Sequence, residues 1–276
     1  MIEKLLRIGV VASPSEHRRL FAYHAIVSRR SEYLYDVSTD QLQQHLELFS
    51  QCSKANQQVP KFTFDDGHLS NYEKALPLLE RFGVYGTFFL VAGLIGVDSK
   101  YITWRQAREI LAAGHRIQSH GWSHRLLTTC NEKQLDEELV RSKGRLEDGL
   151  GVEIDSLAVP GGRWDKRVIE RGARAGYKFI FHSNPWVNPA ISQGIILSGR
   201  LMVTGRMTGV RLQRLLDSGP AQQMYLRTRF KMKEWVRSML GDSLYFRMWC
   251  WTTNGYPAFG MGAVIEEGEG TPPPVK

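Results

Sequence analysis

Two patterns of apolar residues alternate along residues 58–182 of the chain. Short runs rich in β-branched and aromatic residues predict strands at 58–64, 86–92, 115–119, 156–159 and 177–182. Longer stretches between them carry apolar residues at helical spacing, and three of these stretches end at Gly83, Gly114 and Gly176. Strands that alternate with helices in this way predict an α/β fold with a largely parallel sheet.

The starts of the predicted helices carry capping residues. Thr103 with Gln106 predicts a capping box before the second helix, and Asp165 can cap the helix that runs to Ala175. A long helix is predicted to begin near Asn131. Regular β-α units with polar clusters at the strand exits are typical of a (β/α) barrel, and a doubly wound sheet is the alternative that the pattern leaves open.

Two clusters of polar residues follow predicted strands and carry the candidate chemistry. The first is Thr-Phe-Asp-Asp-Gly at 63–67, in which the glycine allows a sharp turn after the strand. We expect this turn to bring both aspartates to one end of the sheet, so that one carboxylate binds a metal while the other accepts a proton. The second cluster is His120 and His124, which share one face if the strand exit makes a helical turn.

Each cluster alone has an ordinary structural explanation. Adjacent aspartates are most often turn or cap residues, and two spaced histidines are most often surface or buried polar residues. The conjunction favours a metal site, because two imidazoles and a carboxylate commonly hold catalytic zinc and leave a position for water. The sequence therefore predicts a metal-dependent hydrolase.

The two clusters resemble the first two motifs of the polysaccharide deacetylase family, also called the NodB-homology group or carbohydrate esterase family 4. The stretch at 63–67 is similar to the first motif, and Ser-His-Gly-Trp-Ser-His at 119–124 is similar to the second. Gly-Thr-Phe-Phe at 86–89 and a Tyr-His pair at 23–24 extend the likeness over roughly residues 20–205.

This resemblance implies a fold, a set of metal ligands and a reaction. The fold is an irregular (β/α) barrel of about seven strands, with a basic C-terminal helical extension in this chain. Asp66, His120 and His124 would bind a divalent metal, for which the donor set favours zinc, and Asp65 would be the catalytic base. The reaction would remove the N-acetyl group from an amino sugar in a polysaccharide, oligosaccharide or lipid-linked precursor.

The third family motif, Arg-x-Pro-x-Gly, is altered in this chain. Residues 158–163 read Ala-Val-Pro-Gly-Gly-Arg, so alanine stands where the family has the arginine that orients the base. We interpret this stretch as a subgroup signature, although a tight turn that leaves a strand is the ordinary explanation. Pro160, Gly161, Gly162 and Arg163 are the expected substrate contacts, and Arg163 is the cation that could reach the base from the other side.

The last family motif, Leu-x-His, whose histidine acts as the acid, is not evident. The stretch at 196–201 stands where this motif is expected and contains no histidine. His182, at the end of the strand predicted over 177–182, is the candidate acid, because an unperturbed imidazole titrates near neutral pH. A structural role is the alternative for a lone histidine at a strand end. His68, directly after the first motif, is a further candidate substrate contact.

Length and composition fit an enzyme with one large α/β domain. The chain has 276 residues, of which 42% are hydrophobic and 23% are charged. Three unclustered cysteines predict neither a disulfide framework nor a zinc knot. We see no secretion signal and no apolar run near the ~20 residues of a spanning helix. We therefore expect a cytoplasmic protein that acts on a precursor sugar.

The C-terminal quarter is strongly basic. Residues 200–250 contain ten Lys or Arg against three Asp or Glu, which accounts for most of the net charge of +8. Basic and apolar residues interleave over 211–251, and this pattern predicts one or two amphipathic helices. A solvated helix face is the ordinary interpretation, and a peripheral contact with an anionic membrane surface is the functional one. We expect no nucleic-acid partner, because no recognised module accompanies the charge.

The sequence divides into three predicted parts. Residues 1–215 form the deacetylase-like barrel, residues 216–262 the basic amphipathic extension, and residues 263–276 a disordered tail. Three other interpretations stay open. They are a catalytically impaired carbohydrate-binding protein of the same fold, an amide hydrolase with a non-sugar substrate, and a membrane- or nucleic-acid-associated module that uses the barrel as a scaffold.

Overall fold

The computed structural model describes residues 20–29, 31, 33–54, 61–186 and 190–253. Eleven strands occur in this part of the chain. In chain order they are β1 (Leu20–Tyr23), β2 (Ile26–Val27), β3 (Val37–Ser38), β4 (Lys61–Phe64), β5 (Gly86–Leu90), β6 (Arg116–Ser119), β7 (Ser156–Ala158), β8 (Phe179–His182), β9 (Ala190–Ser192), β10 (Ile195–Gly199) and β11 (Leu201–Met202).

Eight α-helices lie between and after these strands. They are α1 (Thr39–Lys54), α2 (Leu76–Arg81), α3 (Trp104–Ala112), α4 (Glu132–Asp136), α5 (Ser142–Leu150), α6 (Lys166–Arg174), α7 (Gly209–Leu216) and α8 (Pro220–Thr253). Two π-helical turns, Asn71–Ala75 and Glu137–Arg141, lead into α2 and connect α4 to α5.

The parallel strands close into a ring. The order is β1, β4, β5, β6, β7, β8 and β10, and each of these strands is parallel to its neighbours. Two consecutive strands close the ring. Strand β10 pairs with β8, and β11, which begins after a single intervening residue, pairs with β1. The predicted irregular barrel of about seven strands is confirmed, and the doubly wound alternative is wrong.

The predicted helix starts agree with the structure. The capping box of Thr103 and Gln106 is formed, a second capping box pairs Asn131 with Gln134, and the Asp165 side chain accepts a hydrogen bond from the backbone N–H of Val168. The predicted strands are present but up to two residues shorter than expected at their described ends. Strand ends are set by tertiary pairing, which residue propensity does not encode.

Alternation along the strands creates two apolar layers. Phe88 belongs to the large cluster between the sheet and the helices, whereas the next residue, Phe89, belongs to a small cluster inside the barrel. Inside the barrel, the rings of Phe89 and Phe181 lie 5.5 Å apart in an edge arrangement. Each buried phenylalanine contributes about 1.5–3 kcal/mol of hydrophobic stabilisation.

The C-terminal segment forms a long helix over the open end of the barrel. Helix α8 is interrupted at Gly241, whose φ of 73° is left-handed, so the segment consists of two helices. Partly buried residues recur at helical spacing at Phe230, Glu234 and Arg237, whereas Met232 and Trp235 are exposed. No described helix is long and apolar enough to cross a lipid bilayer.

The predicted division into three parts stays a prediction. Its boundary at residue 215 falls one residue before the end of α7, and the helices of the predicted extension cover 220–253. The predicted disordered tail at 263–276 lies outside the described residues.

Candidate active site

A cavity of about 350 Å³ opens where the carboxyl ends of the barrel strands meet. Residues from the strand exits form its floor, and α8 contributes to its outer wall. Its lining residues are His24, Tyr33, Tyr35, Asp65, Asp66, His120, His124, Val159, Gly161, Gly162, Arg163, Ser183, Pro185, Trp186, Arg200, Leu201, Met202, Thr204, Phe230, Lys233, Glu234, Arg237 and Tyr245.

A left-handed turn after β4 separates the two aspartates. The backbone N–H of Asp65 still donates to the carbonyl of Tyr23, as it would in a continued strand. Asp66 then has a φ of 69° and Gly67 a φ of 72°. This conformation costs a non-glycine residue about 1–3 kcal/mol and occurs mostly at functional sites. The turn lets both adjacent side chains face one cavity, as the sequence predicted, and their different roles stay predictions.

The two histidines meet through a loop and not through a helical turn, which was the condition under which the sequence would place them on one face. In this loop Gly121 has a φ of 82° and His124 a φ of 63°. The ring centroids of His120 and His124 lie 4.8 Å apart. The buried carboxylate of Glu138 fixes this loop. It accepts hydrogen bonds from the backbone N–H groups of Trp122 and Ser123 and from the Ser123 hydroxyl.

The three predicted metal ligands lie together. Donor atoms of Asp66, His120 and His124 are all within 4.8 Å of one another. The Nε2 atoms of His120 and His124 lie 3.3 Å and 3.2 Å from Oδ1 of Asp66.

Hydrogen bonding around His120 fits this set to a cation. Nδ1 of His120 lies 2.7 Å from the carbonyl oxygen of Ala158, which can only accept, so Nδ1 carries the proton. In the neutral imidazole Nε2 is therefore an acceptor, and it faces the buried Oδ1 of Asp66, which has no hydrogen-bond donor. Acceptors that converge in this way are a suitable ligand set for a divalent metal.

A bidentate ion pair holds the second carboxylate. The guanidinium of Arg200 donates to both oxygens of Asp65, with two distances of 2.7 Å, and also to the hydroxyl of Thr63 at 2.8 Å. Arg200 and Asp65 are both 1% exposed. Arg200 lies between β10 and β11, at the point where the barrel closes, and its guanidinium packs over the ring of Phe89.

Both aspartates are held in their charged forms. Burial alone would raise the pKa of Asp65, but the charge of Arg200 outweighs this effect and lowers the pKa below its ordinary value. Burial would likewise raise the pKa of Asp66, but His124 and His120 lower it well below its ordinary value. At neutral pH both groups are therefore carboxylates, one paired with arginine and one facing imidazoles.

The altered third motif has two structural consequences. The backbone carbonyl oxygen of Ala158 contacts Nδ1 of His120 and orients its ring. This contact does not depend on the side chain at position 158, so alanine keeps it. Gly162 has a φ of 68°, and a Cβ atom there would lie 2.1 Å from the hydroxyl oxygen of Ser183, so only glycine fits.

Arg163 does not contact the Asp65 carboxylate, because Arg200 occupies that position. It packs against the ring of Tyr245 in α8, with 5.8 Å from its guanidinium carbon to the ring centroid. Of the predicted substrate contacts in this stretch, Gly161, Gly162 and Arg163 line the cavity, whereas Pro160 is buried and is not among the described lining residues. Their roles towards a substrate stay predictions.

The other two predicted histidines lie beside the cavity rather than on its described wall. His68 has Nδ1 2.7 Å from the hydroxyl oxygen of Ser70. His182 is 4% exposed, and its Nδ1 accepts a hydrogen bond from the backbone N–H of Asn184. Burial and the charge of Arg200 lower the pKa of His182 to about 4, so it is neutral at physiological pH. No observation tests the predicted roles, but this environment does not favour a proton donor.

A different histidine faces the cavity. His24, one residue after β1, is half-buried with a tilted ring contact to Tyr35, and its buried Nδ1 has no hydrogen-bond partner among the described residues. Burial lowers the pKa of His24 below its ordinary value, and the charges of Asp66 and Asp65 offset this effect only in part.

Three residues of the candidate site were not predicted from the sequence. His24 belongs to the Tyr-His pair at 23–24, which was noticed only as part of the family likeness. Arg200 lies in the stretch at 196–201, where the resemblance implies a histidine and no arginine. Glu138 carried no local signal, because a glutamate on a helix is ordinarily solvated.

Comparisons with known proteins agree with this geometry. The sequence model of the polysaccharide deacetylase family matches residues 53–180. YxkH of Bacillus subtilis (strain 168) is 25% identical over 171 residues, which are 62% of this chain and 61% of the relative. The peptidoglycan-N-acetylglucosamine deacetylase PgdA of Listeria monocytogenes is 27% identical over 119 residues, which are 43% of this chain and 24% of that protein.

Solved structures share the barrel. The Streptococcus pyogenes deacetylase PplD, solved in complex with acetate, superposes with a TM-score of 0.62 at 23% identity and covers 71% of this chain and 96% of its own. IcaB from Ammonifex degensii gives a TM-score of 0.62 at 21% identity, over 72% of this chain and 96% of its own. The matched segment contains both motifs, and the barrel is shared, so this chain is similar to the polysaccharide deacetylases in sequence over 53–180 and in fold.

Proposed function

We propose that this protein is a metal-dependent hydrolase that removes an N-acetyl group from an amino sugar. The observation that carries the proposal is the juxtaposition, at the mouth of the barrel, of an Asp-His-His ligand set and a separate carboxylate held by arginine. The activities named for the family relatives support the same reaction.

Asp66, His120 and His124 would hold the metal. When bound there, a divalent metal supplies a Lewis acid for the acetamide carbonyl and lowers the pKa of water. Two imidazoles and one carboxylate are the donors that zinc commonly takes in hydrolases, so we propose zinc; other transition metals bind similar donors.

Asp65 is the proposed base. It takes the proton from the attacking water through a lone pair that Arg200 leaves free, since each carboxylate oxygen has two. Arg200 is a positioning residue, because it fixes the carboxylate plane and holds the group ionised. Removal of this proton lets the water oxygen form its bond to the carbonyl carbon.

His24 is the proposed acid, in place of His182. Its imidazole lines the cavity and lies outside the proposed ligand set. Its Nδ1 is buried and has no hydrogen-bond partner among the described residues. Burial lowers the pKa of His24, but the charges of Asp66 and Asp65 offset part of this effect, whereas the charge of Arg200 lowers the pKa of His182 further. His24 gives a proton to the sugar nitrogen as the carbon–nitrogen bond breaks, and acetate and the free amine result.

The shape of the cavity suits a sugar ring. Tyr33, Tyr35 and Trp186 lie on its wall near the strand exits, and Phe230 faces them from α8. Aromatic side chains offer flat apolar surfaces to the C–H faces of a sugar, while the polar groups at the floor orient its acetamido substituent.

Acetate release from a panel of N-acetylated sugars tests the proposal. The panel compares N-acetylglucosamine, its oligosaccharides and lipid-linked precursors, with metal-loaded parent protein against His120→Ala. Release that requires metal and is lost in His120→Ala supports the proposal. Release of another acid from a non-sugar amide, with no acetate from the panel, would support the alternative amide hydrolase.

The interpretation as an impaired carbohydrate-binding protein loses one of its two motivations. It rested on the missing third-motif arginine and on the missing final histidine, and Arg200 holds the Asp65 carboxylate in place of that arginine. Tight binding of metal and sugar without acetate release from any member of the panel would restore it.

Location and membrane contact are separate proposals. A cytoplasmic location is a proposal that cell fractionation tests. Contact of 211–251 with an anionic membrane surface is supported by exposed Met232, Trp235 and Met239 among basic residues of α8. Sedimentation with vesicles that contain phosphatidylglycerol, compared with neutral vesicles, would detect it.

A further inference from the structure

The wall of the active-site cavity is built unevenly around the barrel. Residues at the exits of β4 and β6 form its floor, whereas the described wall comes from the chain that follows β1, β7, β8 and β11, together with α8. None of the described lining residues follows β5. Since β7, β8, β10 and β11 lead round the ring to β1, the wall stands on one half of the barrel, opposite β5.

Helix α8 lies along this walled half. Before its interruption, the helix places Phe230, Glu234 and Arg237 on the cavity wall at intervals of about one turn. At Gly241 a left-handed φ of 73° redirects the chain, and Tyr245 in the second part of the helix lines the cavity as well. Both parts of α8 therefore face the active site.

The second part of α8 approaches two separate strand exits. The ring of Tyr245 has its centroid 5.8 Å from the guanidinium carbon of Arg163, which follows β7. Tyr35 follows β2, in the chain that leaves β1. Burial raises the pKa of Tyr35, and the charge of the nearby Tyr245 phenol raises it further. Because β1 and β7 lie on opposite sides of the ring, a segment close to both exits covers part of the barrel mouth.

The space that remains beneath α8 is small. The cavity holds about 350 Å³, which is near the lower end of the ~300–1,000 Å³ that is usual for small-molecule sites. An internal residue of a glycan is bonded to a sugar on each side, so it needs an exit for the chain in two directions. A terminal residue needs only one. A chain that entered over β5 would meet α8 beyond the candidate metal ligands.

We propose that α8 closes one end of the cavity, so that the enzyme deacetylates a terminal sugar residue or a single sugar and not the interior of a glycan chain. The inference rests on the proposed deacetylation and narrows its substrate. Phe230 and Tyr245 are the specificity-determining residues, because their rings occupy the place that the next sugar would take. The acetamido group of the terminal residue reaches the floor, between Asp65 and the ligand set.

The position of the free amine in the product tests this substrate class. The substrate is the tetrasaccharide of N-acetylglucosamine with heavy oxygen at its reducing end, and the product is sequenced by mass-spectrometric fragmentation. We expect a free amine at one end, with internal residues deacetylated about a hundredfold more slowly or less, because a clash with a packed helix discriminates strongly. Internal amines formed at a comparable rate would overturn the inference.

Smaller side chains on α8 should open the closed end. Phe230→Ala and Tyr245→Ala should each raise the rate at internal residues about tenfold relative to the rate at the end. Partial detachment of α8 would change the ratio in the same direction. Met232→Ala, on the exposed face of the same helix, is the matched control and should keep the parent ratio. An unchanged ratio in both wall variants, or an equal change in the control, would contradict the role of α8.

Binding stoichiometry separates failure of this inference from failure of the proposed function. Asp65→Asn is titrated calorimetrically with soluble glycol chitin of increasing chain length, which needs no turnover. Bound protein per chain that stays constant as the chain lengthens supports a closed cavity even if no acetate is ever released. Bound protein that rises with chain length would overturn the inference. Acetate release from internal residues would also overturn it while leaving the proposed deacetylation intact.

Discussion

The two halves of the active-site floor are built in different ways. The metal corner, formed by Asp66, His120 and His124, comes from two short stretches at the exits of β4 and β6. The base corner, formed by Asp65, Thr63 and Arg200, joins residues 135 positions apart in the chain. The metal corner therefore depends on local loops, whereas the base corner depends on closure of the barrel.

The difference also appears in how each corner is held. Left-handed backbone at Asp66 and His124 and the buried carboxylate of Glu138 hold the candidate metal ligands. Regular strand pairing holds the base corner, because β10 and β11 fix the Arg200 backbone between β8 and β1. Substitutions should therefore distinguish the two corners. Changes at the metal corner should mainly lower metal affinity, and changes at the base corner should mainly lower the free energy of unfolding.

The largest effect on metal affinity is expected from His120→Ala. This variant removes one of the three proposed ligands. Loss of a residue that only orients a ligand lowers metal affinity by about 10–100-fold, so loss of a ligand should lower it more, and acetate release should fall with it. Metal content after dialysis, measured by plasma emission, checks this expectation. Metal retained at one equivalent in His120→Ala would show that the ligand set is wrong.

Substitution of the two candidate acids, His24 and His182, is expected to affect kcat differently. His24→Asn should lower kcat by about 10²–10⁴-fold, the usual contribution of a general acid, with metal content unchanged. His182→Asn should change kcat little, because the pKa of His182 is lowered to about 4 and its Nδ1 already accepts a backbone hydrogen bond. The reverse order of effects would return the acid role to His182.

Arg200→Met should be the most destabilising change at the base corner. It leaves the Asp65 carboxylate buried and unpaired, which costs about 3–5 kcal/mol of unfolding free energy. Guanidinium chloride unfolding measures this loss, and Arg206→Met, an exposed cation in the same segment, should be nearly neutral. Addition of Asp65→Asn to Arg200→Met should restore part of the stability. Additive losses in the double variant would mean that the ion pair is not coupled.

The smallest effect is expected from Glu138→Gln. Glutamine keeps the shape but presents an NH₂ group where the carboxylate accepts the Trp122 and Ser123 N–H groups. Metal affinity should fall by about 10–100-fold, as for other residues that orient ligands. The exposed neighbour Glu137→Gln is the matched control, and an equal effect of the two variants would exclude a specific role for Glu138.

The same comparison explains what the sequence could predict. The barrel could be predicted because strand and helix periodicities alternate. The metal corner could be predicted because its ligands lie in two short motifs, Asp66 in 63–67 and both histidines in 119–124. The loop conformation at 120–124 was not predicted, since the distant Glu138 that shapes it leaves no mark on the local sequence. His24 was overlooked because an isolated histidine gains meaning only from its neighbours in space.

Arg200 was hidden for a related reason. The family resemblance directed attention to an arginine before the Pro-Gly-Gly turn, and that position holds Ala158. A guanidinium can reach the same carboxylate from a different strand of a closed barrel, because all strand ends converge on one cavity. Only the ring closure through β10 and β11 reveals which arginine does so.

The division between the corners is tested most directly by one comparison of Asp65→Asn with the parent protein. Both proteins are loaded with zinc, and bound metal and acetate release are measured on the same samples. Since Asp65 belongs to the base corner, we expect unchanged metal content and a loss of acetate release by about 10²–10⁴-fold. Loss of metal together with activity, or acetate release at the parent rate, would contradict the assignment of Asp65 as the base.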